Sequence, residues 1–520
     1  MPNIADAARR LGIEALYPEQ ERVIAEALAG RDALMILPTG FGKSACYQVP
    51  SMVLPKPVVL VSPLLALLRD QHENLIRRNV PCVRFDGTVR GPARREAFER
   101  LAEGGPLLVM TTPETLMGAE LPKALSKTGV GLAAIDEAHC ISEWGHDFRP
   151  AYQRLGAQIR ALGAPPIMAL TATATPRVRS AIVHSLGMRE PSIVASSPHR
   201  SNLAFEVIRC EGDARPRVLV RLVRRLRRPG IIYCATRREV DEVYTILGRF
   251  GIPVNRYHGR MTAAERNTQQ ARYMRRGNRS VMVATSAFGL GIDKPDIRYI
   301  LHYQSPASLE QYVQEAGRGG RDGRKSNCIL LYDPADRAIH QALLARSRVR
   351  PDQLYRLGKA LEAWAAGGQS PSIEALALSA ELGTRVTSAL LTTVEEAGLV
   401  SRVDSEVTVT GASDSIEQDT RGLAGQFETL RTRDGHRLDA IESYTDTDAC
   451  RAVFLQEYFG EEAESSCGLC DVCTGGRRRS PGFFAPLTAP KRPKQSKRPQ
   501  RGSRRGRRRG RRRGRPATSR

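Results

Sequence analysis

The 520-residue sequence predicts an α/β protein of two doubly wound lobes, followed by a winged-helix-like module, a helical cysteine-bearing module and a disordered basic tail. Three observations carry that expectation. Short apolar runs alternate with helical patterns from Ala33 to Tyr332. Three more helical patterns and two β-type runs follow over 351–412. Beyond them, most of the net charge is gathered at the C-terminal end.

The apolar runs are Ala33–Leu37, Val58–Ser62, Leu107–Thr111, Leu132–Asp136, Ile167–Leu170, Ile231–Cys234, Val281–Thr285, Tyr299–Tyr303 and Cys328–Tyr332. Each is short and lacks polar alternation, as strands do when both faces of a parallel sheet are covered. The segments between them read as helices; Glu239–Phe250 places Val240, Val243, Tyr244 and Leu247 on one face. Such alternation builds layers with helices on both sides of a sheet. The polar stretch Ser196–Asn202 interrupts the series and a second cycle starts near Val207, so lobes are expected at 1–197 and 198–345. Over 351–412, helical patterns at Asp352–Ala366, Ser372–Leu382 and Thr384–Ala397 precede the runs Leu399–Val403 and Val407–Thr410, the outline of a winged helix. Residues 420–474 read as helical and end in a cysteine cluster. Residues 475–520 carry too little apolar material to offset the entropy of ordering, so they are expected to be disordered.

Composition narrows the class. The charge-free stretches Pro57–Leu68 and Ala161–Pro176 fall short of the ~18 apolar residues that span a bilayer, which argues against a membrane protein. The first residues lack the apolar core of a secretory signal, so a reducing cytoplasm is expected, with the ten cysteines as thiols or metal ligands. Of the 79 Lys and Arg, 19 lie in residues 474–520, which contain no Asp or Glu; 60 basic residues therefore face 55 acidic ones in the rest. The body is near neutral, and the net charge of +24 belongs largely to the tail. Its Arg-Arg-Gly and Arg-Arg-Arg-Gly repeats suit phosphate polyanions, DNA or RNA, without sequence choice.

Pro38-Thr39-Gly40-Phe41-Gly42-Lys43-Ser44 follows a strand and opens a helix. Its glycines let backbone N–H groups turn toward a phosphate, and the helix N-terminus adds its positive end. Lys43 is expected to reach the β and γ phosphates, and Ser44 to ligate Mg²⁺. Asp136-Glu137-Ala138-His139 closes a strand; there Asp136 is placed to hold Mg²⁺ and Glu137 to orient the attacking water. In the second lobe, Gln314 and the Gly-rich turn Gly317-Arg318-Gly319-Gly320-Arg321 supply two candidate arginine fingers for the γ-phosphate. Together these strings indicate an NTPase that hydrolyses when two lobes close.

With further strings, the chain resembles a superfamily 2 helicase, and specifically the RecQ family. These are Ser62-Pro63-Leu64 with Asp70-Gln71, Thr112-Pro113-Glu114, Ala169-Leu170-Thr171-Ala172-Thr173-Ala174, Tyr257-His258-Gly259, and Phe288-Gly289-Leu290-Gly291-Ile292-Asp293-Lys294-Pro295. The most specific is Ala138-His139-Cys140-Ile141-Ser142-Glu143-Trp144-Gly145-His146-Asp147-Phe148-Arg149-Pro150, similar to the family's aromatic-rich loop that couples single-strand binding to ATP hydrolysis. The resemblance implies RecA-like lobes and Mg²⁺ with ATP as cofactor. It also implies nucleic-acid contact by Trp144, Phe148 and Arg149, with the two aromatics stacking on bases. Gln20 fits the residue that reads the adenine edge. The family's aromatic and Arg upstream of it are replaced by Ile13 and Tyr17, so Tyr17 is a substitute stacking surface.

Cys450, Cys467, Cys470 and Cys473 form a C-x16-C-x2-C-x2-C set. Four thiolates at that spacing suit tetrahedral Zn²⁺; a redox or iron–sulfur role is the competing reading. The spacing, with Tyr458-Phe459-Gly460 inside it, matches the RecQ zinc module. Two features depart from the family: the winged helix precedes the zinc module, and no folded module is expected after Cys473. The winged helix carries Glu395, Glu396 and an acidic tip, so protein docking and DNA contact stand equal for it. The expectation is an ATP-dependent 3′→5′ helicase on single-stranded and forked DNA, in recombination or repair, in the cytoplasm at the nucleoid. The rivals are an RNA helicase and an annealing or scaffold protein with a weak motor.

Overall fold

Inner strands and their flanking helices assemble as the apolar runs require. The structure, a computed structural model, describes residues 3–475 except 39, 143–148, 198, 276, 278, 290–291, 293, 348–349, 404–405, 411–414 and 464. All described residues fall in one unit, Met1–Ala485.

The first lobe holds β1 (Ala33–Ile36), β2 (Val58–Val61), β3 (Cys82–Phe85), β4 (Leu108–Thr111), β5 (Leu132–Ile135), β6 (Ile167–Thr171) and β7 (Ser192–Ala195). They form a parallel sheet in the order β3-β4-β2-β5-β6-β1-β7. Alternate residues feed two cores: Leu34, Ile36, Val59 and Val61 pack on one face, and Ala33, Met35, Val58 and Leu60 on the other. The second lobe holds β8 (Leu203–Arg209), β9 (Gly230–Tyr233), β10 (Val254–Tyr257), β11 (Val281–Ala284), β12 (Tyr299–His302) and β13 (Ser326–Tyr332), parallel in the order β10-β11-β9-β12-β13-β8. Four strands lie outside the apolar runs: β3, β7, β8 and β10. They are the four sheet edges. An edge strand has one neighbour and reaches solvent, so it tolerates Arg84 in β3, Arg256 in β10 and the exposed Ile193 in β7.

Helices Pro351–Ala366, Ile373–Ser379 and Thr384–Glu396 precede the antiparallel hairpin β14 (Val400–Val403) and β15 (Glu406–Val409), as a winged helix does. Its core of Leu354, Leu361, Leu376, Leu391, Val400 and Val407 also takes Leu423, Phe427 and Leu430 from the 31-residue helix Ile416–Asp446. Gly358 is the close approach between the two long helices: a Cβ there would lie 1.8 Å from Thr420 Oγ1. Ile441 and Tyr444, near the other end of the same helix, pack with Phe205, Tyr312 and Leu330 of the second lobe and with the cysteine cluster. One helix thus serves two cores, and packing crosses the boundary the sequence suggests at 412–420. The cysteine module also touches the first lobe, where Arg179 Nη2 donates to Phe459 O at 3.0 Å. No helix among the described residues is long and apolar enough to cross a membrane.

Candidate nucleotide site and zinc centre

The loop after β1 turns through Gly40 (φ +97°) and Gly42 (φ +66°), left-handed conformations that glycine adopts without a Cβ penalty. Lys43 Nζ donates to Leu37 O at 2.9 Å. Burial lowers its pKa, and the charges of Glu137 and Asp136 oppose that shift. Ser44 Oγ accepts from Gln71 Nε2 at 3.2 Å, and Gln71 Oε1 accepts from Tyr47 OH at 2.7 Å. Thr39 lies outside the described residues.

Across the loop, Asp136 follows β5 and is buried, with Ser62 Oγ donating to its Oδ2 at 3.3 Å. Its carboxyl is pushed up to about 7, first by burial and then by the neighbouring charge of Glu137, while Lys43 pulls the other way. Glu137 holds φ 48°, ψ 45°, a left-handed conformation that costs a non-glycine residue on the order of 1–3 kcal/mol. His139 Nδ1 lies 3.3 Å from Glu137 Oε2 and 3.0 Å from Thr171 Oγ1, tying this turn to the end of β6.

Gly40, Gly42, Lys43, Ser44, Asp136 and Glu137 share a cleft of about 480 Å³ with Gln314, Arg318 and Arg321 of the second lobe. The two arginines differ. Arg321 lies along the phosphate loop: a Cβ at Gly40 would meet its Nε at 3.1 Å and its Cδ at 3.2 Å. Arg318 is buried and donates to Gly289 O within its own lobe. The cleft fits a Mg²⁺-nucleotide: it offers a phosphate loop, a lysine, a hydroxyl, and two crowded carboxyl groups whose repulsion a divalent cation would relieve. Ser44 and Asp136, which both line the cleft, would hold that cation.

The four cysteine Sγ atoms of Cys450, Cys467, Cys470 and Cys473 lie within 4.8 Å of one another. Two pairs are at 3.9 Å (Cys470–Cys450) and 4.0 Å (Cys467–Cys473). A tetrahedron with Zn–S bonds of ~2.3 Å has edges of about 3.8 Å, so the set is nearly preformed for zinc. Backbone N–H groups of Leu469 and Cys470 donate to Cys467 Sγ, and that of Cys473 to Cys470 Sγ, each at 3.4 Å. Asp471 anchors the cluster to β8, accepting from Val207 N at 3.0 Å and pairing with Arg451 at 2.8 Å.

Three family profiles match the chain: DEAD/DEAH box helicase over residues 17–181, helicase conserved C-terminal domain over 214–323, and RecQ zinc-binding over 412–474. The ATP-dependent DNA helicase RecQ of Synechocystis sp. is 37% identical over 361 residues, covering 66% of this chain and 75% of that protein. The chain belongs to the RecQ family. RecQ of Bacillus subtilis is 40% identical over 66% of this chain, and RecQ of Pasteurella multocida 36% identical over 91% of it. The chain spans 57% and 62% of the lengths of those two RecQ proteins. Among solved structures, the DUF1998 helicase MrfA bound to DNA aligns with a TM-score of 0.54 at 20% identity, over 81% of this chain and 64% of that one, a likeness of fold.

Other expected site residues of this RecQ-family chain take varied positions. Gln20 is buried and its side-chain amide is engaged: Nε2 donates to Phe41 O at 2.7 Å and Gly42 O at 3.0 Å, and Oε1 accepts from Tyr17 N at 2.9 Å. It therefore braces the phosphate loop, while the half-exposed Tyr17 ring sits 5.6 Å from that of Phe41. Arg149 Nη1 donates to Pro63 O at 3.4 Å. Trp144 and Phe148 lie outside the described residues.

Sequence reasoning missed Arg200 and Asn202, in the stretch read only as a polar connection. Arg200 Nη2 donates to Gly317 O at 3.0 Å and also to Gly319 O; Asn202 Nδ2 donates to Gly320 O and Arg324 O, both at 2.8 Å. The connection between lobes thus grips the turn that carries Arg321. No local pattern announces this, because the acceptors are carbonyls more than a hundred residues away. Arg200→Ala is expected to lower kcat for ATP on the order of 10²-fold, with KM within a few-fold, since a shift of ~1 Å in a catalytic group can cost that much. Steady-state ATPase kinetics check it; an unchanged kcat overturns the assignment.

Proposed function

We propose that this chain is an ATP-dependent DNA helicase moving 3′→5′ on single-stranded DNA and opening forked duplexes at the nucleoid, in recombination or repair. The observation that carries this reading is Arg321 of the second lobe lying against Gly40 of the first. With the finger and the phosphate loop on opposite lobes, hydrolysis requires closure, and release permits opening. Bound Mg²⁺-ATP supplies the phosphoryl group whose transfer to water drives the cycle. Lys43 neutralises phosphate charge, Glu137 orients water, and Arg321 stabilises the charge that develops in the transition state. The DNA track on the second lobe is read at the carboxyl ends of β9, β10 and β11, where Thr236, Arg237, Arg260 and Thr285 line a cleft of about 830 Å³. The relatives named DNA helicases support DNA as substrate. The Arg-rich tail adds affinity for DNA or RNA phosphates. The test is strand separation of 3′-tailed, 5′-tailed and forked DNA and of tailed RNA, with ATP. Opening of 3′-tailed and forked DNA is expected. ATP hydrolysis without separation of any DNA substrate would overturn the helicase reading in favour of a translocase or annealing protein.

A further inference from the structure

A second cleft, of about 810 Å³, lies at the opposite edge of the second lobe. Topology builds it. In a parallel sheet all strands begin at one edge, and here a cation stands just before each of four adjacent strands. Arg227 and Arg228 precede β9, Arg279 precedes β11, Arg298 precedes β12, and Arg324 and Lys325 precede β13. Because the order is β11-β9-β12-β13, these residues come together although 98 positions separate Arg227 from Lys325. Among the described residues, the lining contains no acidic residue and no aromatic one. Asp322 pairs with Arg298 of this lining, and Arg298 Nη1 is nevertheless buried without a hydrogen-bond partner. Arg227, Arg279, Arg324 and Lys325 are exposed.

We propose that this arginine cleft binds the phosphate backbone of duplex DNA, away from the strand the motor pulls. Several like charges held together repel one another, and a polyanion relieves that repulsion by releasing its own counterions. Arginine dominates, and its planar fork matches phosphate oxygens two at a time. Four adjacent strands set a row about 14 Å wide, long enough to meet more than one phosphate along a strand of a duplex. Single-strand clefts interleave aromatic rings on which bases stack, and this lining has none among the described residues. The cleft reads backbone rather than base, so the contact is independent of sequence. It lies about 13 Å, one strand length, from the carboxyl-end cleft, so both can be filled at once. The inference rests on the proposed action on DNA.

The test compares the full chain with a triple variant, Arg227→Ser, Arg279→Ser and Lys325→Ser. Arg298 and Arg324 stay intact because they join the turn of Arg321. Binding to a blunt duplex and to an unstructured single strand is measured over a range of salt. For the duplex, the slope of log K against log salt should become shallower by about 2–3, at about 0.9 per phosphate contact. Affinity at low salt should fall at least tenfold. Single-strand affinity and single-strand-stimulated ATPase should stay within twofold, which shows that the variant is folded. In the unaltered chain, duplex should protect Lys325 from amine acetylation. Unchanged duplex slopes, a loss confined to single strands, or a loss seen only with polyglutamate in place of DNA would each overturn the proposal. Failure of the motor reading is distinguishable, because it would appear in the unaltered chain as hydrolysis that DNA does not stimulate.

Discussion

Arg321→Ala will leave nucleotide binding within a few-fold of the unaltered chain and cut hydrolysis by about 10³–10⁵-fold. The asymmetry follows from position. Arg321 belongs to the second lobe, and its side chain runs along the phosphate loop of the first. Ground-state affinity comes mostly from that loop, its helix and Lys43, all in the first lobe. The arginine adds charge where the transferring phosphoryl group becomes most negative. Arg321→Lys should rescue little, since a lysine lacks the planar fork. The same change at Arg318 is expected to act differently. Arg318 is buried, and a Cβ on Gly289 would come within 2.6 Å of its guanidinium, so its loss should loosen the turn at Phe288–Gly289 and lower stability as well as rate. Single-turnover hydrolysis, equilibrium binding of a fluorescent nucleotide and thermal unfolding of both variants separate the cases. Equal loss of binding and hydrolysis in Arg321→Ala would remove its role as the finger.

Cys470→Ser, or removal of zinc by a chelator, is expected to unfold the C-terminal module. Cys470 is fully buried, and its Sγ is 3.9 Å from that of Cys450. Structural zinc supplies an apparent ~10–16 kcal/mol in small modules, comparable with the ~5–15 kcal/mol that holds a whole domain. Here the loss should spread. Cys450 and Cys470 share a core with Tyr444 and Phe459 and with Leu203, Phe205 and Leu330 of the second lobe. Through the helix Ile416–Asp446, that core is continuous with the winged helix. The expected result is one zinc per chain in the unaltered protein, none in Cys470→Ser, and a variant that aggregates or melts at least 10 °C lower. Metal analysis and thermal unfolding check it. Iron in place of zinc, or an unshifted melting temperature, would overturn the assignment.

The chain alone made legible whatever depends on neighbours in sequence. The phosphate loop needs glycines beside a lysine, and the C-x2-C-x2-C end brings three thiols within reach of one ion. The inner strands need unbroken apolar runs because helices cover both faces. Those features survive as strings. The edge strands β3, β7 and β10 did not stand out, because a strand with one neighbour and a wet flank has no need of an apolar run, and β8 takes its cover on the outer flank from the distant cysteine module. The two candidate arginines, three apart in one turn, take different positions: Arg321 lies along the phosphate loop, while Arg318 turns inward to Gly289. Gln20 is read from the sequence at the adenine edge, and in the fold its side-chain amide closes on the phosphate loop. Arg200 and Asn202, the helix shared by two cores, and the arginine row across β11, β9, β12 and β13 were settled by the fold. Each is a contact between residues far apart in the chain, and strand order and chain reversal, which no local pattern encodes, decide which of them meet.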